Sequence, residues 1–159
     1  DAVLATLSES DETDVREMLA LAAGYLPGER TLEILQSLTG DDDAVAQSAR
    51  MALARLGDGE ARAEIVENLS AGEAGIRYEA LGQLRYINDV ALAEHARNLL
   101  SDKENAKRVG PQRRRQYRRV CDQAVDTLAY LLELSLPFET GPEKIYSDEE
   151  LAQVRAKTG

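Results

Sequence analysis

The six residues Ile34-Leu35-Gln36-Ser37-Leu38-Thr39 decide the fold, because related segments recur along the chain at a spacing of 31 residues. The related segments are Val3–Ser8, Ile65–Ser70 and Ala96–Ser101. All four carry leucine at the fifth position and serine or threonine at the sixth, and an acidic residue stands three positions further on. This order suits a helix start and equally a polar loop. A fixed spacing of this kind is typical of repeat architectures.

A second apolar stripe follows each segment. Within each stripe the residues are four, four and three positions apart, which is one face of an α-helix. The stripes are Val15, Leu19, Ala23, Leu26; Val45, Ala49, Leu53, Leu56; Ile76, Ala80, Leu84, Ile87; and Val120, Ala124, Leu128, Leu131. Good helix formers dominate, and strand-like alternation is weak. The pattern predicts antiparallel helix pairs over 2–8 with 13–26, 30–39 with 43–57, 60–70 with 74–87, and 90–101 with 114–134.

These pairs predict an all-α superhelix, a solenoid of about four stacked helix pairs that share one core. Residues 1–134 form the predicted repeat array, and residues 135–159 form a C-terminal extension. In the extension Pro137 cannot continue a helix, and Ser147 is expected to cap a short helix that runs to about Lys157. The apolar residues of the extension either cover the last repeat, which we favour, or bind a partner; they are Leu136, Phe138, Ile145, Tyr146, Leu151 and Val154.

The pattern resembles the HEAT-like repeat family, in the short form related to phycobilin lyases, over about residues 2–134. That family places Asp at the turn and Val-Arg at the start of the second helix, followed by Ala and Leu at core spacing. Asp11, Val15 and Arg16 fit, as does Ile76-Arg77, whereas Ala46 and Cys121 stand where the family has Arg. The resemblance implies an armadillo-like α-solenoid in which Asp and Arg tend to pair between adjacent repeats. It also implies a concave binding face lined by the Val-Arg helices.

Composition excludes several classes of protein. The chain has 159 residues with 19 basic and 29 acidic side chains, a net charge of -10, so a generally basic nucleic-acid binder is disfavoured. No apolar run is long enough to span a membrane. One cysteine and one histidine cannot make an internal disulfide or a Cys/His zinc site. We expect Cys121 to be structural and half-exposed, His95 to be a helix-surface or partly buried residue rather than a ligand, and no metal or cofactor to bind.

The segment from Lys103 to Arg119 is strongly basic. It holds eight basic residues and one acidic residue, Glu104, so its net charge is +7 and that of the remainder is -17. Gly110-Pro111 is expected to divide it into a loop and a helix that begins near Gln112. Three interpretations stay open, in order of preference. The arginines brace the last repeat internally, dock an acidic protein, or bind a phosphate group of nucleic acid or another ligand.

No catalytic motif is present in the sequence, so we predict a non-catalytic protein-interaction or scaffold module that is monomeric and binds a protein rather than nucleic acid. The alternatives are an acidic inhibitor or immunity-type protein that binds a basic partner, and a lyase-like enzyme of the HEAT-repeat type. The compartment stays open, because the chain starts at Asp1 without Met and a leader could have been removed. The predicted binding residues are Arg16, Gln47, Arg77, Tyr78, Gln83, Asp122, Arg113, Arg114, Arg115, Arg118 and Arg119.

Overall fold

The fold is that of a computed structural model, which describes residues 2–40, 43–111 and 116–159. Helices make up 67% of it, so the predicted all-α class is confirmed, with one small two-stranded sheet in addition. The α-helices are α1 (Ala2–Glu9), α2 (Thr13–Ala23), α3 (Glu29–Leu38), α4 (Asp43–Leu56), α5 (Gly59–Asn68), α6 (Ala74–Ile87), α7 (Ala93–Asn98), α8 (Val120–Leu131) and α9 (Asp148–Thr158). The strands are β1 (Asn105–Val109) and β2 (Gln116–Arg119).

The chain divides into two compact units, residues 1–64 and residues 65–159, with the division inside α5. In the first unit α1 packs on α2, α3 packs on α4, and α2 packs on α4. In the second unit α6, α7 and α9 all pack on α8. The stacking of all pairs into one solenoid and the division of the chain after residue 134 stay predictions.

The repeated apolar columns are mostly buried, as their spacing predicts, but in the first stripe only Ala23 is buried, whereas Val15, Leu19 and Leu26 are half-buried. The leucine that recurs every 31 residues is buried each time, at Leu7, Leu38, Leu69 and Leu100. The stripe of α8 is buried along its whole length, because several elements of its unit, α6, α7 and α9 among them, pack on this helix. Ile76 is the exception in the stripe of α6 and keeps 39% of its surface exposed.

The helix predicted over 114–134 is wrong at its beginning. Residues 116–119 form β2, which pairs antiparallel with β1, and α8 begins only at Val120. The sequence does not predict β1 and β2, because their side chains are mostly polar and neither strand shows the apolar alternation that identifies a half-buried strand. The predicted helix start near Gln112 lies outside the described residues.

The helix predicted over 90–101 is present but broken. A 3₁₀ turn at Val90–Leu92 precedes α7, and a second one at Leu99–Ser101 follows it. Asn88 ends α6 in the left-handed conformation, and the Asp89 carboxylate accepts a hydrogen bond from the Ala91 amide at 2.9 Å. This local capping fixes a tight first turn at the start of the segment.

The C-terminal helix is the prediction that the structure matches most closely. Ser147 Oγ accepts from the Glu150 amide, and the Glu150 carboxylate accepts from the Ser147 amide at 2.8 Å. This reciprocal pair is a capping box. The apolar residues of the extension that pack most deeply are Tyr146, Leu151 and Val154, which are fully buried within the second unit.

Candidate protein-interaction site

The basic segment folds into the β1–β2 hairpin, and the antiparallel register sorts its side chains onto two faces. Lys107 pairs with Arg118, and Arg108 pairs with Tyr117. Because side chains alternate along a strand, these two pairs lie on opposite faces. The Lys107 amine and the Arg118 guanidinium lie 5.8 and 5.7 Å from the centroid of the Tyr78 ring on α6. This inner face of the hairpin therefore packs on the helical core.

The outer face of the hairpin is exposed. Arg108 Nη2 donates to the Tyr117 hydroxyl at 2.9 Å, and its guanidinium carbon lies 5.4 Å from the centre of the same ring. Tyr117 is 46% exposed, and both Lys107 and Arg108 are exposed. Within the described ranges neither Lys107 nor Arg108 forms an ion pair. Lys103, by contrast, pairs with Asp148 at 2.6 Å. Arg108 and Tyr117 are thus presented to solvent on the outer face, and Lys107 is also exposed although it lies on the inner face beside Tyr78.

Arg118 is fully buried and joins the hairpin to α8 and to the C-terminal extension. Its Nη2 donates to Asp126 Oδ2 at 2.7 Å, and its Nη1 donates to the Tyr78 hydroxyl at 3.1 Å and to the Pro142 carbonyl at 2.9 Å. The other carboxylate oxygen of Asp126 accepts from the Tyr146 hydroxyl at 2.5 Å. Burial, followed by this bond to a carboxylate, raises the pKa of Tyr146.

Arg119 and Asp122 make a second connection between the same elements. The carboxylate of Asp122 accepts from the backbone amide of Arg119 at 2.8 Å, from its guanidinium at 2.8 Å and from the Tyr146 amide at 3.0 Å. Arg119 Nη2 also donates to the Tyr146 carbonyl at 2.6 Å. Pro142 and Tyr146 are therefore held through their backbone groups by side chains from β2 and α8.

Arg77 at the start of α6 is braced in the same way. Its Nε donates to Asp102 at 2.8 Å, its Nη2 donates to Glu104 at 2.9 Å, and its Nη1 donates to the carbonyls of Ala71 and Gly72. The hydrogen bond to Asp102 is the largest of the contributions that raise the pKa of Arg77. Glu104 is one of the acidic residues that recur every 31 positions, so this contact joins α6 to the segment that follows Ala96–Ser101.

Four of the predicted binding residues therefore meet in one internal network of the second unit: Tyr78, Arg118, Arg119 and Asp122. They hold the chain's own extension. Gln83 is half-buried in the same unit. Arg16 is half-buried and Gln47 exposed in the first unit. Arg113, Arg114 and Arg115 lie outside the described residues. Whether any of these residues binds a partner stays a prediction.

The expectation of a half-exposed Cys121 is wrong. The side chain is fully buried at the start of α8, where the Asp102 and Glu104 carbonyls accept from the Cys121 and Val120 amides. Burial, with a further contribution from the neighbouring Asp122, raises the pKa of this thiol to about 11. At neutral pH the group stays a thiol, which is a poor nucleophile.

A cleft of about 360 Å³ opens beside this network in the second unit. The Arg85 guanidinium lies 5.1 Å from the centre of the Tyr130 ring at its edge. Asp126 also lines the cleft, but Arg118 and Tyr146 already occupy both of its oxygens. The lining residues are Arg85, Asp126, Ala129, Tyr130, Leu134, Thr140, Gly141 and Pro142.

Sequence reasoning missed the roles of two groups. Asp126 and Tyr146 are 20 positions apart, and nothing in the helical spacing links them. Lys107, Arg108 and Tyr117 stand in the basic segment, but only the strand register shows that they share an exposed hairpin. The charge run of residues 103–119 is the signal that could have found them.

Among the described residues, no helix is long and apolar enough to cross a membrane. Over the same residues, no three His, Cys, Asp or Glu side chains are grouped as a metal site requires. Comparison of the chain with protein-family models, with curated proteins and with solved structures gives no match.

Proposed function

We propose that this chain is a non-catalytic protein-interaction module that docks an acidic protein on the exposed side chains Lys107, Arg108 and Tyr117 of its β1–β2 hairpin. The observation that carries the proposal is that the cations of the basic segment have two different kinds of surroundings. Arg118 and Arg119 are committed to internal carboxylates, whereas Lys107 and Arg108 face solvent without an acidic partner among the described residues. The brace and the docking site are thus different residues of one segment.

The chemistry of the exposed face supports docking of a protein. Arginine and tyrosine are the side chains that most often dominate binding energy at protein interfaces, and Arg108 and Tyr117 stand together there. The rest of the chain is acidic, so the hairpin is a local positive region that would orient a negatively charged partner. We also propose a HEAT-like repeat origin for the helix pairs, supported by the 31-residue spacing and the contact from Arg77 to Glu104.

Site-specific photo-crosslinking tests the docking proposal. Tyr117 is replaced by the photoreactive residue benzoylphenylalanine, and the chain is irradiated in lysate of its source. Tyr25 is the matched control position, because it is also an exposed tyrosine, at 59% compared with 46%. We expect an acidic protein, identified by mass spectrometry, to be crosslinked from position 117 and not from position 25.

Charge reversal then tests whether the cations are needed. Lys107→Glu with Arg108→Glu should abolish the crosslink from position 117. Arg30→Glu with Lys157→Glu makes the same change of charge on exposed residues elsewhere and should leave the crosslink intact. Equal crosslinking from positions 117 and 25, or a crosslink that survives reversal at 107 and 108, would refute docking on the hairpin.

A further inference from the structure

Strand β1 has an open edge. The sheet has two strands in the part of the chain that the structure describes, and β1 is paired there with β2 alone. None of the five residues Asn105–Val109 is buried. The open edge of a strand carries backbone N–H and C=O groups without a ladder partner, which is the template that an added strand needs.

The surroundings of their cations distinguish β1 from β2. In β2 the side chains of Arg118 and Arg119 are held by Asp126 and Asp122, and the Arg119 amide donates to Asp122. In β1 Lys107 and Arg108 are adjacent, exposed and without an ion pair within the described ranges. Because they are consecutive, they point to opposite faces of the sheet, and an added strand would meet one cation on each face.

We propose that the edge of β1 takes up an extended acidic segment of the partner as a third strand. Backbone hydrogen bonds would hold the segment, and two adjacent acidic residues would stand beside Lys107 and Arg108 on the two faces. Opposite charges side by side stabilise neighbouring strands, and like charges oppose them. The same two cations therefore disfavour pairing with the β1 edge of a second copy. This inference rests on the proposed docking function and specifies its geometry.

Backbone methylation of a probe peptide tests strand addition directly. The probe is acetyl-Thr-Val-Glu-Glu-Val-Thr-Val-amide with a fluorescent label, and binding to the full chain is read by fluorescence anisotropy. Two further peptides carry N-methyl groups on alternate amides, one in each register. A strand uses only every second amide toward its neighbour. One methylated peptide should therefore bind at least about tenfold more weakly, since it loses two or more hydrogen bonds, while the other binds nearly as the parent does.

The outcomes separate this inference from the docking proposal. If both methylated peptides bind like the parent and reversal of Lys107 and Arg108 abolishes binding, docking by charge stands and strand addition is overturned. If the parent peptide does not bind at all, strand addition is overturned, and the crosslinking experiment still decides docking. Slower hydrogen exchange of amides in 105–109, seen with the parent peptide and not with the weaker methylated one, would place the added strand on β1.

Discussion

At the residue scale, the Arg118–Asp126 pair is a buried ion pair that joins β2 to α8. Both side chains are buried, so loss of one charge leaves the other without compensation. Asp126→Asn should lower the free energy of unfolding by about 3 to 5 kcal/mol, the usual cost of breaking a buried ion pair from one side. Chemical denaturation followed by circular dichroism measures this change.

The Lys103–Asp148 pair supplies the control for that substitution. Its nitrogen–oxygen distance is 2.6 Å, close to the 2.7 Å of the buried pair, but its side chains are 52% and 77% exposed. Solvent weakens an exposed pair, so Asp148→Asn should change the stability far less. Equal losses in the two variants would show that burial does not set the strength of the Arg118–Asp126 contact.

Cys121 gives a second prediction at the residue scale. With a pKa of about 11, roughly one thiol in a thousand is ionised at pH 8, and the side chain is buried as well. Ellman's reagent should therefore react with the native chain at least about a hundredfold more slowly than with the chain unfolded in guanidinium chloride. The exposed position of Ser135→Cys provides a fast-reacting thiol as the control. Rapid reaction of the native wild-type thiol would contradict the buried placement.

At the scale of the element, the capping box of α9 offers a direct test. Ser147→Ala removes the acceptor for the Glu150 amide and should cost about 1 kcal/mol of stability. Ser135→Ala changes an exposed serine outside the helices and should have little effect. Thermal unfolding measures both variants, and hydrogen exchange should show faster opening at the start of α9 in the first variant alone. No difference between the variants would mean that tertiary packing holds α9 without its cap.

How far the sequence predicts the structure also differs from element to element. The core stripes of α4, α6 and α8 are found because a helix buries every third or fourth residue, and that period is visible in the sequence. β2 is not found, because its four residues Gln116-Tyr117-Arg118-Arg119 are polar or amphipathic and one of its cations is buried. Asp126 neutralises Arg118 and the Tyr78 hydroxyl accepts a hydrogen bond from it, and no local sequence pattern indicates these tertiary contacts.

The candidate site could also be predicted from the sequence only in part. The charge run predicts that residues 103–119 are distinctive, and the internal brace we favoured accounts for Arg118 and Arg119. The run does not show which cations face solvent, because that depends on strand register. Helical spacing would have placed Tyr117 and Arg118 about 100° apart around one helix, whereas the hairpin sends them to opposite faces.

At the scale of the whole molecule, the net charge of -10 makes salt a stabilising agent. Repulsion among exposed carboxylates is screened when sodium chloride rises from about 10 to 150 mM, whereas buried pairs are screened much less. The melting temperature should rise by a few degrees over this range in calorimetry. Glu139→Gln with Glu143→Gln removes two exposed negative charges and should make the rise smaller. A melting temperature that falls with salt would show that exposed ion pairs outweigh the repulsion.

Arg118 bonds with residues that lie later in the chain, so its network forms only after those residues have been synthesised. During synthesis Arg118 leaves the ribosome before Asp126, and both leave before Pro142 and Tyr146, which complete its surroundings. The first unit ends at residue 64 and can form its own core while the second unit is still being synthesised. Until residue 146 has been synthesised, the guanidinium of Arg118 is still solvated by water. The second unit thus closes late, when the extension is seated.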